Sequence, residues 1–423
     1  MDNDKKQSFK LTGLERSWIL YDVGNSAFVL MVSTLIPIFF NALAESGGLS
    51  SVEYLAYWGY AASAVTIITA ILSPILGTLA DTKGFKKPIF ILCLAVGLVG
   101  CSVMGQATTW LLFLIIFVIA KVGFSGSLVF YDSMLSDVTT PERMDEVSSR
   151  GYAWGYIGSC IPFVACLGLV LGAGSIGISQ MLALQIALII TALWWLAASL
   201  PLLKGYHQVH YVEVEKHAIR QSFARIGHTL RNLYKDEQVF WFLLAFFCYI
   251  DGVYTIIDMA TAYGTALGLD TTGLLLALLV TQIVAFPSAL TFGRLSSKYP
   301  STTLIPICIA AYSGIAVFAF FLKYQWQFWV LAVIVGMFQG GVQALSRSHF
   351  AKIIPPEKSG EYFGLFDICG KGASFLGTMI VSVGSQLTGS ANVGVGSLIV
   401  LFIIGFVLFR ISCKKGRITD EAA

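Results

Sequence analysis

GTLADTKGFKKP, residues 77–88, is the stretch that decides how this chain reads. It closes one long apolar run and opens the next, so it is a tight charged turn between two membrane-crossing segments. Gly77 lets a second helix cross closely, and Asp81, at a helix end, can accept hydrogen bonds from a neighbouring helix N-terminus whose partial positive charge it meets. Lys83, Lys86 and Lys87 hold the turn on the side where basic residues are retained.

Working outward, the 423 residues are 56% hydrophobic and 12% charged, about half the charge of a soluble globular chain. Apolar runs of about 20 residues, enough to cross a hydrocarbon core as helix, recur along nearly the whole length. Bounded by charge or by Gly, Pro and Asn clusters, they predict an all-α polytopic membrane protein with twelve transmembrane helices. The spans fall near 17–43, 53–80, 87–105, 108–131, 147–172 and 180–203, then 237–264, 271–294, 302–322, 327–350, 360–388 and 393–413. The first is too long for a signal-peptide core and lacks a cleavage site.

The domain organisation follows: an N-terminal segment 1–16, a six-helix bundle 17–203, a central loop 204–236, a second six-helix bundle 237–413 and a tail 414–423. With both termini cytoplasmic, 24 of the 27 Lys and Arg lie in the termini, the central loop and the loops on that same side, Lys323 is on the other, and Lys121 and Lys371 are inside spans. That asymmetry sets the orientation in a cell membrane. Within the central loop Ile219, Phe223, Ile226, Leu230 and Leu233 alternate with Arg220, Arg225, Arg231 and Lys235, a basic amphipathic helix expected on anionic membrane lipid. The net charge of +3 gives no reason to expect nucleic acid as a partner. The eight scattered cysteines, with no CxxC pair, and the loop histidines His207, His210 and His217 suggest neither a metal nor another cofactor.

The two halves repeat. GTLADTKG at 77–84 corresponds to GRLSSKYP at 293–300, an offset of 216, while Pro141-Glu142 and Pro356-Glu357 are offset by 215 and Gly151 and Gly364 by 213. Duplicated halves of this kind form transporters whose site lies at the repeat interface and whose access alternates as one half rocks on the other.

Residues 77–88 resemble the signature loop between the second and third helices of the major facilitator superfamily. WILYDVGNSAF (18–28), GFSGSLVFYDSMLSDV (123–138), GYAWGYIG (151–158), QALSRSHFAKIIP (343–355) and EYFGLFDICGK (361–371) resemble its vacuole-effluxer-like branch, which includes the autophagy-related vacuolar amino-acid permease. The resemblance covers about residues 14–412. It implies the major facilitator fold and amino-acid efflux, although Lys121 stands where a neutral residue is expected.

Charges inside the membrane are costly and so are functional candidates. Asp251 and Asp258 are seven residues apart, on one face of their helix and about 10.5 Å apart in height, with Tyr254 between them. They are the proton-coupling candidates. Asp367 and Lys371 have the i, i+4 spacing of an ion pair. Lys121 has no acid at i±3 or i±4, so its partner comes from another helix or from the substrate. Lys121, Lys371, Asp22, Asn25, Tyr254, Gln282 and Gln343 are the expected substrate-binding residues, and Gly77, Asp81, Lys83 and Lys87 the expected gate, with Asp81 meeting the next bundle around Ser359 and Gly360. Tyr152, Trp154 and Tyr156 are further cavity candidates.

With no nucleophile–base pair, HExxH cluster or phosphate loop, an enzyme acting on lipid-linked substrate is disfavoured. The expected activity is proton-coupled secondary transport, by a monomer, of a small zwitterionic or carboxylate-bearing solute, best an amino acid or close relative, in the efflux direction. An importer of organic anions or peptides on the same fold is the alternative.

Overall fold

The computed structural model describes residues 9–213, 231 and 233–422. Its helices are α1 (Gly13–Ser33), α2 (Leu35–Ser46), α3 (Ser51–Ala80), α4 (Lys86–Met104), α5 (Trp110–Ser133), α6 (Leu135–Val138), α7 (Met144–Gly172) and α8 (Gln180–Gly205) in the first half. The second half contains α9 (Glu237–Ala266), α10 (Thr271–Leu295), α11 (Ser301–Phe320), α12 (Gln325–Ile353), α13 (Ser359–Thr388), α14 (Ala391–Gly396) and α15 (Ile399–Ala422). Among the described residues 11 segments are long and apolar enough to span a membrane. The 30-residue α13, which carries Glu361, Asp367 and Lys371, lies outside that set. We call the face holding the α3–α4 turn and the start of α1 the terminal face, and the opposite one the far face.

Several boundaries differ from the sequence reading, each for a local reason. The first helix begins at Gly13, four residues earlier than expected, because Thr12 and Glu15 form a reciprocal capping box. It breaks at Thr34, three residues before Pro37, whose ring and missing N–H cannot continue the ladder to Ser33. The last span is two helices, broken at Ser397–Leu398. Its second piece continues to Ala422, so residues 414–422 are helix rather than loose tail, and Lys415 pairs with Glu237 at the start of α9 (2.5 Å). The amphipathic segment expected in the central loop lies mostly outside the described residues, as do His217 and the side chain of Lys371.

Aromatic rings build the core of each half. Trp18 stacks on Tyr131 (4.4 Å) and Phe28 on Trp195 (5.6 Å) in the first, Phe246 on Phe366 (4.0 Å) and Phe242 on Phe350 (5.5 Å) in the second. Between the halves, small residues bring backbones together: a Cβ on Gly77 would fall 2.1 Å from the Gly360 carbonyl oxygen, and one on Gly364 would fall 2.7 Å from that of Ser73. The duplicated counterpart of Gly77, Gly293, packs α10 against Ser149 of α7, where a Cβ would lie 2.9 Å from the serine Cβ.

Candidate functional site

The halves are joined towards the terminal face by two polar layers. The deeper is centred on Arg347 of α12, 2% exposed and, among the described residues, the one arginine in the set of largest fully buried side chains. Its stretch of α12 is rich in Gly340, Gly341, Ala344, Ser346 and Ser348, which lets the helix approach α7 closely enough for the guanidinium to enter the first half. There Nη1 donates to Asp132 Oδ1 (3.0 Å) and lies 3.5 Å from Asp22 Oδ2, Nε donates to Ser148 Oγ (2.9 Å) and Nη2 to the Ser148 carbonyl (3.0 Å). The rings of Trp18, Tyr152 and Tyr131 face it at 4.6, 4.3 and 5.4 Å. A buried guanidinium is tolerated only with this degree of pairing. Gly151 leaves the room: a Cβ there would come 2.9 Å from Asp22 Oδ2 and 3.1 Å from Arg347 Nη2. Asp132 and Arg347 are 347 − 132 = 215 positions apart, the repeat offset itself, so equivalent positions of the two halves meet.

The second layer is the α3–α4 turn. Asp81, fully buried, accepts from the backbone N–H of Gly360 at Oδ1 (2.7 Å) and of Glu361 at Oδ2 (2.8 Å), at the first turn of α13. Those amides have no partner within their own helix, and the carboxylate also meets the positive end of its dipole. Lys86, also buried, donates to Ser359 Oγ (2.8 Å) and lies 3.8 Å from Asp81 and 3.6 Å from Asp137. Burial pushes the Asp81 carboxyl up to about 7, against the downward pull of Lys86 and of the Glu361 and Gly360 amides. On the α7 side, Asp145 accepts from Ser348 Oγ (2.6 Å) and pairs with Lys352 (2.6 Å), while Ser148 Oγ donates to the Ala344 carbonyl (2.8 Å). Ser73 Oγ on α3 donates to Asp367 Oδ2 on α13 (2.8 Å). These contacts tie the two halves together on the terminal side.

Above these contacts two opposite charges, one on each half, lie within electrostatic reach of each other. Lys121 on α5 interacts electrostatically with Asp258 on α9, its ammonium 4.7 Å from the Phe124 ring and 5.9 Å from that of Phe28. Lys121 precedes Asp132 by 11 residues, three helical turns, so both face the same way about 16 Å apart in height. Asp258 is exposed and Lys121 half-buried. Tyr254, half-buried, lies within electrostatic reach of Asp258 above and of Asp132, Asp367 and Arg347 below, linking the two levels.

The expected site residues therefore separate. Lys121, Tyr254 and Asp258 come together. Asp22 and Asn25 belong to the lower layer: Asn25 Nδ2 donates to the Tyr21 carbonyl (3.1 Å) and Asp22 Oδ1 (3.4 Å). Gln343 Oε1 accepts from the Tyr156 hydroxyl (3.2 Å), also across the halves, and Gln282 is half-buried on α10. Asp251 turns elsewhere: its two oxygens accept from the Gly377 amide (2.8 and 2.9 Å) and one from Thr255 Oγ1 (3.2 Å), fixing α9 to α13 inside the second half. Among the expected gate residues, Gly77 and Asp81 touch α13, but Lys83 pairs at the surface with Glu213 (3.4 Å) and Lys87 donates to the Tyr206 carbonyl (3.1 Å), both in the central loop. The lysine that reaches the other half is Lys86. Trp154 is exposed, edge-on to Phe286, rather than in the cleft. Arg347 was missed by sequence reasoning because it sits near a span end and reads as a loop charge; its offset of 215 from Asp132 was the available signal.

A family model described as "Vacuole effluxer Atg22 like" matches residues 14–421. The chain belongs to this Atg22-like family of MFS transporters. An uncharacterized MFS-type transporter of Bacillus subtilis, YxiO, is 42% identical over 404 residues, 94% of each chain. Autophagy-related protein 22 of Saccharomyces cerevisiae is 26% identical over 318 residues, and the match covers 66% of this chain and 60% of the yeast protein. The human organic anion transporter MFSD10 superposes with a TM-score of 0.71 at 14% identity over 94% of this chain and 98% of that one. FucP, solved in the outward conformation, gives 0.67 at 15% identity over 95% and 97%. The fold is thus that of MFS transporters, all-helical with about 11 to 12 spans, and the protein is a multi-pass membrane transporter rather than an enzyme.

Proposed function

We propose that this Atg22-like transporter exports a small zwitterionic solute, an amino acid or close relative, in exchange for protons, from a cell membrane in which the terminal face is cytoplasmic. The reading is supported by Lys121 and Asp258, opposite charges on the two halves within electrostatic reach of each other above the contacts that tie the halves together. A zwitterion inserts into such a pair without changing its net charge: the carboxylate takes Lys121 and the ammonium takes Asp258. A neutral sugar offers nothing in return for separating the two charges, and a simple anion leaves Asp258 without a counterion. Phe28 and Phe124, already against the lysine, give the solute's carbon skeleton apolar faces.

Coupling follows from competition. A proton and an ammonium group contend for the same carboxylate on Asp258, so the loaded carrier holds one or the other, which gives antiport. Asp251, occupied by the Gly377 amide, contributes stability to this scheme. Alternating access then consists of breaking the Arg347 and Asp81 layers on the cytoplasmic side while the far side closes over the solute. The lysine asymmetry of the sequence supports the orientation.

The test is a thermal-shift screen of purified protein against amino acids, organic acids, dipeptides and sugars, followed by counterflow in liposomes with the strongest hits. Zwitterions should stabilise the protein and support counterflow, less effectively at low pH, with Asp258→Asn removing the pH dependence. Stabilisation by sugars or by simple organic anions alone would refute the reading.

A further inference from the structure

Residues 206–212, the first stretch of the connection between the halves, lie against the gate and have no role in the transport scheme so far. Val212 N–H donates to the Asp81 carbonyl (2.7 Å) and the Val212 carbonyl accepts from Lys83 N–H (3.3 Å), an isolated parallel bridge opposite Thr82. The Gln208 side chain spans the same turn: Oε1 accepts from Gly84 N–H (2.9 Å) and Nε2 donates to the Ala80 carbonyl (3.0 Å). Lys87 donates to the Tyr206 carbonyl. The segment also converges on Asp137, which accepts from the buried Tyr206 hydroxyl (2.5 Å), from His210 N–H (2.9 Å) and Val209 N–H (3.3 Å), with the His210 ring Nδ1 at 2.9 Å.

Asp137 and Asp81 are the two carboxylates beside the Lys86 ammonium, which donates to Ser359 of the second half. The segment therefore grips both acids that aim Lys86, one by its side chain and the other by its backbone. All of these grips are on the first half, so the segment need not detach when the halves part. It acts on the gate by fixing one side of it.

We propose that Tyr206–Val212 is a latch that preorganises the first-half side of the gate, with Tyr206 and His210 as positioning residues acting through Asp137. Loosening the latch lets Asp137 and the 81–84 turn relax, Lys86 loses its aim, and the terminal face opens. Because the latch is the root of the connection between the halves, a pull on that connection is transmitted to the gate.

The experiment uses full-length protein in liposomes, with non-natural spin labels at positions 142 and 298, occupied by Glu142 and Lys298, both exposed on terminal-face loops of opposite halves. Tyr206→Phe combined with His210→Ala should raise the population with long label distances about tenfold, the size of the charge-assisted Lys86–Ser359 hydrogen bond across the gate once Lys86 loses its aim. The variant should remain folded, and His210→Asn, whose amide can take the place of Nδ1, should keep the wild-type distribution in the Tyr206 wild-type background. Gln208→Ala, which frees only the turn backbone, gives a second and milder version. Unchanged distances in both the Tyr206/His210 and Gln208 variants overturn the latch. Asp81→Asn, measured in parallel, separates that failure from a failure of the gate itself, in which Asp81→Asn would also leave the distances unchanged.

Discussion

Replacing Asp81 by Asn tests the gate at its most constrained atom pair. The carboxylate accepts one backbone N–H at each oxygen, from Gly360 and from Glu361. Asparagine has one acceptor oxygen, so its amide nitrogen must face one of those N–H groups and leave it buried without a partner. That costs about 1–3 kcal/mol. At 1.4 kcal/mol per factor of ten, the balance between sealed and open terminal face should move roughly 5- to 150-fold towards open. Spin-label distances between the terminal-face loops are the assay, and Asp81→Asn should start more open than wild type. A variant with wild-type populations, or one more firmly closed, refutes the reasoning.

Other outcomes follow from the same geometry. Arg347→Gln should open the terminal face and lower the melting temperature, since it strands Asp132 and Asp22 in a buried site; neutralising Asp132 as well should recover part of the stability, a coupling measured by a double-mutant cycle. Asp251→Ala should cost about 1–3 kcal/mol in unfolding stability by freeing the Gly377 amide and Thr255 hydroxyl, while exchange across liposomes persists. Gly77→Val should prevent the tight α3–α13 crossing, because its first carbon would already overlap the Gly360 carbonyl, and so should trap an open terminal face in the same distance assay.

Much of the architecture was legible because the signals were local. Apolar run length located the spans, Thr12 and Glu15 could have marked the first helix start, and the constant offset revealed the duplication. The Asp81 contact with α13 was also readable, since a carboxylate at one helix end and a helix start on the opposite repeat are complementary. What could not be read was side-chain direction across the bundle. Asp251 and Asp258 look alike in sequence, seven residues apart on one helix, yet one is held by a backbone amide of α13 and the other is exposed within electrostatic reach of Lys121. Three lysines of one turn likewise diverge: Lys83 and Lys87 turn to the central loop while Lys86 points inward, a choice made by the turn after Asp81 rather than by residue type. Arg347 shows the reverse error, a charge near a helix end that packing draws into the core.

The central claim is that the solute's carboxylate and ammonium replace Lys121 and Asp258 as each other's partners. Its most direct test is the affinity of purified protein for the most strongly stabilising zwitterion of the screen, measured calorimetrically in wild type, Lys121→Gln and Asp258→Asn. A hydrogen bond to a charged group is worth roughly 1.5–3 kcal/mol, so Lys121→Gln should weaken binding about tenfold or more, with Asp258→Asn weakening it comparably and making it insensitive to pH. Wild-type affinity and pH dependence in both variants would contradict the account.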